Sequence, residues 1–244
     1  MINVNENVRH PTMDSSRRNF LLTSSGAALG TFYAAGLTAA EIETANLDPN
    51  WAASGLSTGS PIPLRHKSIP GFLSEKQLAI HHTSHYGGAL RGYSALDDSL
   101  QSDATFAADA LGAMLRSRVS KGNSVILHEI YFARLADRAN TPQGDLATMI
   151  RKRFGSFGKW EADFIAAGKS AAGWALLVHH PVNGKLYNVA SDEHAVSVLW
   201  MASPLVAMDT YEHAFYVDYE NRKTQYIEKF VEHINWEAVQ SGSI

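Results

Sequence analysis

Apolar residues recur at helical spacing through the first half of the chain. The stretch LSEKQLAIHHTSHYGGAL opens with Ser74 and Gln77, a capping-box pair, and predicts a helix that carries His81 and His85. The stretches ATFAADALGAMLRSRVS and NSVILHEIYFARLAD predict a second and a third helix, the last with His128 on its apolar face. The first half of the chain is therefore predicted to be helical.

The pattern changes at Gly173, where runs typical of strands begin. Two such runs lie on either side of Asn183 and Gly184, a dipeptide that strongly favours a β-hairpin. The stretch SVLWMASPLVAMD predicts a third strand that ends at Asp209, and helical periodicity returns from YEHAFY to the end. We predict an α+β fold: an N-terminal helical hairpin domain, then an α/β domain with a three-stranded antiparallel sheet.

Breaks in the pattern suggest where the chain divides. Residues 41–65 are rich in Pro, Gly, Ser and Asn and are interpreted as an irregular arm or linker. The polar stretch ANTPQGD around Pro142 marks the expected boundary between an N-terminal helical domain, 66–140, and a C-terminal α+β domain, 141–244. Residues 1–40 are predicted to form a separate leader.

The leader has the features of an export signal. Arg17 and Arg18 precede Phe20, no residue from Phe20 to Ala40 is charged, and a cleavage point is plausible after Ala40. The segment resembles a twin-arginine signal. The alternative is a membrane anchor, but the span is rich in Gly, Ser, Thr and Ala and is a weak membrane helix. We expect recognition by the twin-arginine export machinery, a periplasmic or otherwise exported protein, and no stable membrane association after cleavage.

Composition limits the classes of partner and of site that the chain can have. The 244 residues are 45% hydrophobic and 18% charged, with a net charge of −3, values that suit a globular protein and disfavour nucleic acid as partner. There is no cysteine, which excludes disulfides and thiolate ligands. Eleven histidines direct attention to metal or proton chemistry.

Four residues form a candidate metal-binding set. His81, His128 and His213 offer imidazoles, and Asp209 offers a carboxylate at the end of a buried strand. This set suits Fe or Mn and does not exclude Zn. Each residue also has an ordinary structural interpretation, as a helix-surface or core histidine or as half of a salt bridge, and spacing alone leaves their convergence open.

A family resemblance ties these residues together. The stretches LSEKQLAIHHTSHYGGAL, HEIYFARL, FGSFGKWEADFIAAGKSAAGWALLV and MDTYEHAFYVDYENRKTQYIEKFVEHINW resemble the iron/manganese superoxide dismutase family over about residues 66 to 238. The resemblance implies that fold, one Fe or Mn ion per chain, and the disproportionation of superoxide to oxygen and hydrogen peroxide. By position, the family's four metal ligands are His81, His128, Asp209 and His213.

The resemblance also implies roles around the metal. His85 matches a histidine of the substrate channel, and Tyr216 a tyrosine that reaches the partner subunit's channel histidine. Glu212 matches an acid that bridges to the other subunit's ligand histidine, so a homodimer with Glu212, His213 and Tyr216 at its interface is expected. Trp174 matches a tryptophan of the metal pocket, and Arg222 a basic residue near the channel mouth.

The sequence departs from the family outside the ligands. The gateway tyrosine is Ala89, the usual Asn before the second ligand is Leu127, and the usual Trp of the C-terminal signature is Tyr211. The glutamine that holds the metal's solvent ligand has two usual positions, which are Ser124 and His194 here. His194 is predicted to take that glutamine's hydrogen-bonding role.

Superoxide dismutase is the function that these residues favour, with His85, His194 and Tyr216 as catalytic candidates. The alternative is an exported metal-binding relative with little or no dismutase activity, suggested by Ala89, Leu127 and Tyr211. A zinc hydrolase is a weaker alternative, because no helical zinc motif places a glutamate beside the ligands.

Overall fold

A computed structural model describes residues 51–138 and 140–242 of the chain. The predicted leader, 1–40, and the first ten residues of the arm, 41–50, lie outside the described residues. Within the described part, no helix is both long enough and apolar enough to cross a membrane.

The N-terminal part is helical, as predicted. Ser74 caps the first long helical run by accepting a hydrogen bond from the backbone N–H of Gln77, so the capping position is confirmed. The run continues without a break through Gly87 and Gly88, but its middle is wound as a π-helix. The elements in chain order are α1 Gly55–Thr58, α2 Glu75–Ile80, the π segment His81–Tyr86, α3 Gly87–Gln101 and α4 Ala108–Ala133.

The second and third predicted helices are one helix. The break expected near Gly122 is absent from α4, which runs unbroken from Ala108 to Ala133. Gly122 serves helix packing instead, because a Cβ atom there would lie 3.2 Å from the ring of Tyr93 on α3. The prediction failed since a glycine that ends a helix and one that admits a neighbour look alike in sequence.

The C-terminal part supplies two further long helices and the sheet. Its elements are α5 Gly144–Phe154, α6 Phe157–Ser170, β1 Trp174–His180, β2 Lys185–Ser191, β3 Ser203–Asp209, the 3₁₀ turn Glu212–Ala214, α7 Tyr216–Tyr219, α8 Lys223–Glu232 and α9 Trp236–Ser241. The strands form one antiparallel sheet in the order β2-β1-β3. The predicted hairpin is confirmed, and Gly184 adopts a φ of 63° in its turn.

The third strand is shorter than predicted. It begins at Ser203, while Ser197 and Met201 take left-handed φ values of 58° and 66° that extended strands do not use. The apolar residues before Ser203 therefore lie in a loop, and Trp200 is 84% exposed there. Hydrophobicity alone suggested a strand, but the backbone turns away from the sheet.

The sheet places one predicted ligand close to a buried tryptophan. Trp174 at the start of β1 pairs with Asp209 at the end of β3, and both are fully buried. Gly173 comes before them with no room for a side chain, since a Cβ atom would lie 2.9 Å from the backbone carbonyl of Asp192. The predicted fold class is confirmed; the domain boundary at 140/141 stays a prediction.

Candidate metal centre

Three histidines converge on one carboxylate oxygen. The Nε2 atoms of His81 and His213 lie 3.0 and 3.1 Å from Oδ2 of Asp209, and Nε2 of His128 lies 3.5 Å from it. His81, His128 and Asp209 are buried, and His213 is 20% exposed. The four predicted ligands are thus brought together from distant parts of the chain.

Each ligand is supplied by a different element. His81 is the first residue of the π segment, His128 lies near the end of α4, Asp209 ends β3, and His213 lies in the 3₁₀ turn that follows. A π turn inserts an extra residue into a helix and is frequent at functional sites. Here the backbone N–H of Gly87 donates to the carbonyl of His82, five residues earlier.

The orientation of His128 fits a metal ligand. Its Nδ1–H donates to the backbone carbonyl of Ser124 over 2.7 Å, which leaves the lone pair on Nε2. That Nε2 atom is buried and has no hydrogen-bond partner among the described residues. A buried acceptor without a partner is costly, and a metal ion would satisfy it.

Electrostatics favour the same interpretation. Burial lowers the pKa of His128 to about 3, so its imidazole is neutral, as metal binding requires. Burial alone would raise the pKa of Asp209, but hydrogen bonds from His213 and His81 outweigh it and hold the carboxyl ionised, with a pKa well below its ordinary value. The site therefore holds one ionised carboxylate beside the neutral imidazole of His128.

The donor set fits one ion. One ligand atom from each of His81, His128, Asp209 and His213 lies within 4.8 Å of the other three, close enough for a single ion. Three imidazoles and one carboxylate suit Fe or Mn and are compatible with Zn. Geometry alone does not choose among them.

Similar proteins identify the family. Residues 142–242 match the family described as iron/manganese superoxide dismutases, C-terminal domain. A manganese superoxide dismutase of Haloferax volcanii is 32% identical over 180 residues, covering 72% of this chain and 90% of that protein. The chain belongs to the iron/manganese superoxide dismutase family. An iron superoxide dismutase of Cupriavidus metallidurans is 36% identical over 170 residues, 68% of this chain and 85% of that protein.

A cavity beside the four predicted ligands opens toward solvent. Its volume is about 210 Å³, and it is lined by His128 and His213 together with His85, Ala89, Ser120, Lys121, Ser124 and His194. The ring of His85 stacks on that of His213, with centroids 3.9 Å apart and planes 13° apart. The structure thus places His85 on the route to the ligands; its catalytic role stays a prediction.

His194 is held by a tryptophan. The indole Nε1–H of Trp174 donates to Nδ1 of His194 over 2.9 Å, and the Trp174 ring packs edge-on against His128 at 5.1 Å. Because Nδ1 accepts, a neutral His194 carries its proton on Nε2. Burial lowers the pKa of His194, which favours this neutral form. The side chain can therefore donate a hydrogen bond toward the cavity.

The structure shows where the residues that depart from the family pattern lie. Ala89 lines the cavity where the family's gateway tyrosine would be, and Tyr211 stacks on His213 with centroids 5.2 Å apart. Leu127 is buried, and Ser124 contributes its backbone carbonyl to His128. Of these residues, Ala89 and Ser124 line the cavity, and none of the four predicted ligands is altered.

The expected interface residues lie at the surface. Tyr216 is 51% exposed, Glu212 is also exposed, and neither lines the cavity in this chain. Arg222 is exposed and lies 3.7 Å from Glu220, so it is not among the cavity's lining residues either. The roles that the family resemblance implies for these three residues stay predictions.

Sequence reasoning missed two lining residues, Ser120 and Lys121. They precede the predicted ligand His128 by two turns of α4, close to the point where the sequence pattern predicts a break between two helices. A single helical register across Gly122 would have placed them above His128 on neighbouring turns.

Proposed function

We propose that this protein is a superoxide dismutase with one iron or manganese ion held by His81, His128, Asp209 and His213. The observation that carries the proposal is the convergence of three Nε2 atoms on Oδ2 of Asp209. The substrate is superoxide: one molecule is oxidised to oxygen, and a second is reduced and takes up two protons to give hydrogen peroxide. A bound iron or manganese ion would supply one-electron exchange between its divalent and trivalent states.

The residues around the ligands control orientation. Asp209 uses Oδ1 to accept the backbone N–H of Tyr211 over 3.0 Å, which fixes its other oxygen toward the histidines. The carbonyl of Ser124 fixes the ring of His128 in the same way. Such contacts hold the ligands in one geometry and tune the redox potential of the site.

Proton supply falls to His194 and His85. His194 presents an Nε2–H donor because Trp174 occupies its Nδ1. His85 lies between solvent and the ligands, and burial, followed by the neighbouring His213, lowers its pKa to about 4. At neutral pH both are neutral, able to orient a proton-bearing solvent molecule without repelling the metal.

The test is the rate of superoxide decay after pulse radiolysis, with protein loaded separately with Fe and with Mn. We expect turnover well above that of the free ion for at least one metal, and its loss in Asp209→Ala. Stoichiometric metal without turnover would support the second candidate, a metal-binding relative with little dismutase activity, which Ala89 and the open cavity favour.

We also propose a homodimer with Glu212, His213 and Tyr216 at its interface. Tyr216 and Val217 are exposed apolar side chains, 51% and 43%, beside the metal centre. His213 makes its hydrogen bond to Asp209 through Nε2, which leaves Nδ1 available to an acid of a second subunit, the role expected of Glu212. Light scattering should give a dimer for the wild type and a monomer for Glu212→Lys; a wild-type monomer would refute the proposal.

We propose further that the protein is exported through the twin-arginine pathway. Arg17 and Arg18 before an uncharged span support this. The amino terminus of exported protein should begin near Glu41, and replacing both arginines by lysine should retain the precursor in the cytoplasm. Exported protein that still begins at Met1 or Met13 would contradict cleavage.

A further inference from the structure

A lysine lines the cavity without a counter-ion. Lys121 contributes to its wall together with the side chains of His85 and His194. Among the described residues, Lys121 takes part in no ion pair and no side-chain hydrogen bond. Its charge is therefore not neutralised by a neighbouring carboxylate, and the wall of the cavity carries a positive charge.

A glycine makes room for this side chain. A Cβ atom at Gly92 would lie 2.8 Å from Cδ and Cε of Lys121 and 2.9 Å from its Nζ. The lysine side chain therefore lies directly across the backbone of α3 at Gly92. A side chain at position 92 would displace the end of the lysine side chain, so glycine there lets the lysine take this path.

We propose that Lys121, positioned by Gly92, attracts the anionic substrate into the cavity and sets its access to the metal. This inference rests on the proposed dismutase function, since the anion it names is superoxide. The chain carries a net charge of −3, so an anion that approaches the protein is repelled overall. A small anion therefore needs a local positive charge, and low-dielectric walls strengthen its field.

Lys121 differs in its position from the other cationic side chains near the proposed metal centre. Arg222 is exposed, lies 3.7 Å from Glu220 and does not line the cavity. No other lysine or arginine of the described residues lines the cavity. Lys121 is thus the permanent positive charge among the described residues of this wall.

The experiment compares Lys121→Gln, Lys121→Arg and Lys152→Gln in the metal-loaded protein. Lys152 is exposed on α5, so its variant changes net charge equally at a distance from the cavity. At low ionic strength, Lys121→Gln should lower the second-order rate with superoxide about two- to fivefold, as expected for one nearby charge. The slope of the logarithm of rate against ionic strength should become more positive. Lys121→Arg and Lys152→Gln should behave like the wild type.

Two further measurements keep the inference testable. The dissociation constant of azide, followed by absorbance of the metal-loaded protein, should rise by the same factor in Lys121→Gln. Gly92→Ala should fold and displace the lysine side chain, lowering the rate without changing net charge. Unchanged rate, salt slope and azide binding in Lys121→Gln would overturn the inference, and a wild-type rate in Gly92→Ala would overturn the role of Gly92. If the wild type lacks turnover, the proposed function fails, while azide binding still tests Lys121.

Discussion

The indole of Trp174 fixes the tautomer of His194. Its Nε1–H donates to Nδ1 over 2.9 Å, so the imidazole proton of neutral His194 lies on Nε2. The same indole packs against His128, a proposed ligand. One side chain thus contacts both the proposed ligand and the histidine that is predicted to replace the family's glutamine.

Trp174→Phe should separate these two functions. Phenylalanine keeps an aromatic ring against His128 but cannot donate to His194, so the Nδ1–H tautomer becomes accessible. We expect bound metal to be retained and turnover to fall about tenfold, less than the roughly hundredfold or more contributed by a whole proton donor, because the imidazole itself remains. Nitrogen-15 NMR of the histidine rings in a diamagnetic, zinc-loaded sample reports the tautomer directly. An unchanged His194 signal with lowered turnover would show that the hydrogen bond is not responsible.

Metal removal should destabilise the protein. The ligand atoms come from the π segment, α4, β3 and the 3₁₀ turn, so an ion that binds only the folded state stabilises all four together. At ion concentrations a thousandfold above the dissociation constant the gain is about 4 kcal/mol. Thermal unfolding with and without chelator measures this difference. The difference should vanish in His128→Ala, and its persistence there would place the metal elsewhere.

A buried carboxylate joins the arm to the helix that carries His128. Glu129 is fully buried and accepts hydrogen bonds from Ser54 Oγ at 2.7 Å, and from the Gly55 backbone N–H and the Tyr86 hydroxyl, both at 2.8 Å. Glu129→Ala should lower the free energy of unfolding of the metal-free protein by about 3 kcal/mol, because three buried donors lose their acceptor. Denaturant unfolding provides the measurement.

Glu129→Gln is the control for that prediction. Its amide oxygen can still accept hydrogen bonds from Gly55 and Tyr86, so the free energy of unfolding should fall by only about 1 kcal/mol. Equal losses in both variants would mean that the space filled by the side chain matters, and that its hydrogen bonds do not.

Gly173→Ala should disturb the end of the strand that carries Asp209. An added Cβ atom would lie 2.9 Å from backbone atoms of Asp192, and the Gly173 carbonyl accepts the N–H of Thr210 over 2.8 Å. We expect the free energy of unfolding to fall by about 2–4 kcal/mol and the metal content to be reduced. Gly158→Ala is the matched control, because nothing lies within 4 Å of its added Cβ. Its free energy of unfolding is expected to rise by up to about 1 kcal/mol. Equal stability of the two variants would contradict the steric argument.

Local signals predicted much of the fold. The cap at Ser74, the hairpin at Asn183 and Gly184, and the strand ending at Asp209 each depend on neighbouring residues, and the structure has all three. The continuity of α4 through Gly122 was missed because it depends on Tyr93, which belongs to another helix. Family resemblance gave the ligand set that spacing had left open.

Contacts between distant residues could not be predicted in this way. Ser54 meets Glu129 across 75 positions, and Lys121 lies against Gly92 only after α3 and α4 pack. Neither pair carries a pattern in the sequence, because a buried carboxylate or an interior glycine is explained only by its neighbour in space.

The π turn at His81–Tyr86 makes the helix less regular, but it places His81 beside the other proposed ligands. Thr83 and Ser84 are exposed in it, so deleting either would remove no core side chain and would let α-helical hydrogen bonding resume. Each residue of an α-helix turns by about 100°, so the deletion would rotate His81 relative to His85 by that amount and carry it away from Asp209. The shortened chain would have a more regular helix and no metal centre. Selection for stability and selection for activity would then favour different chain lengths.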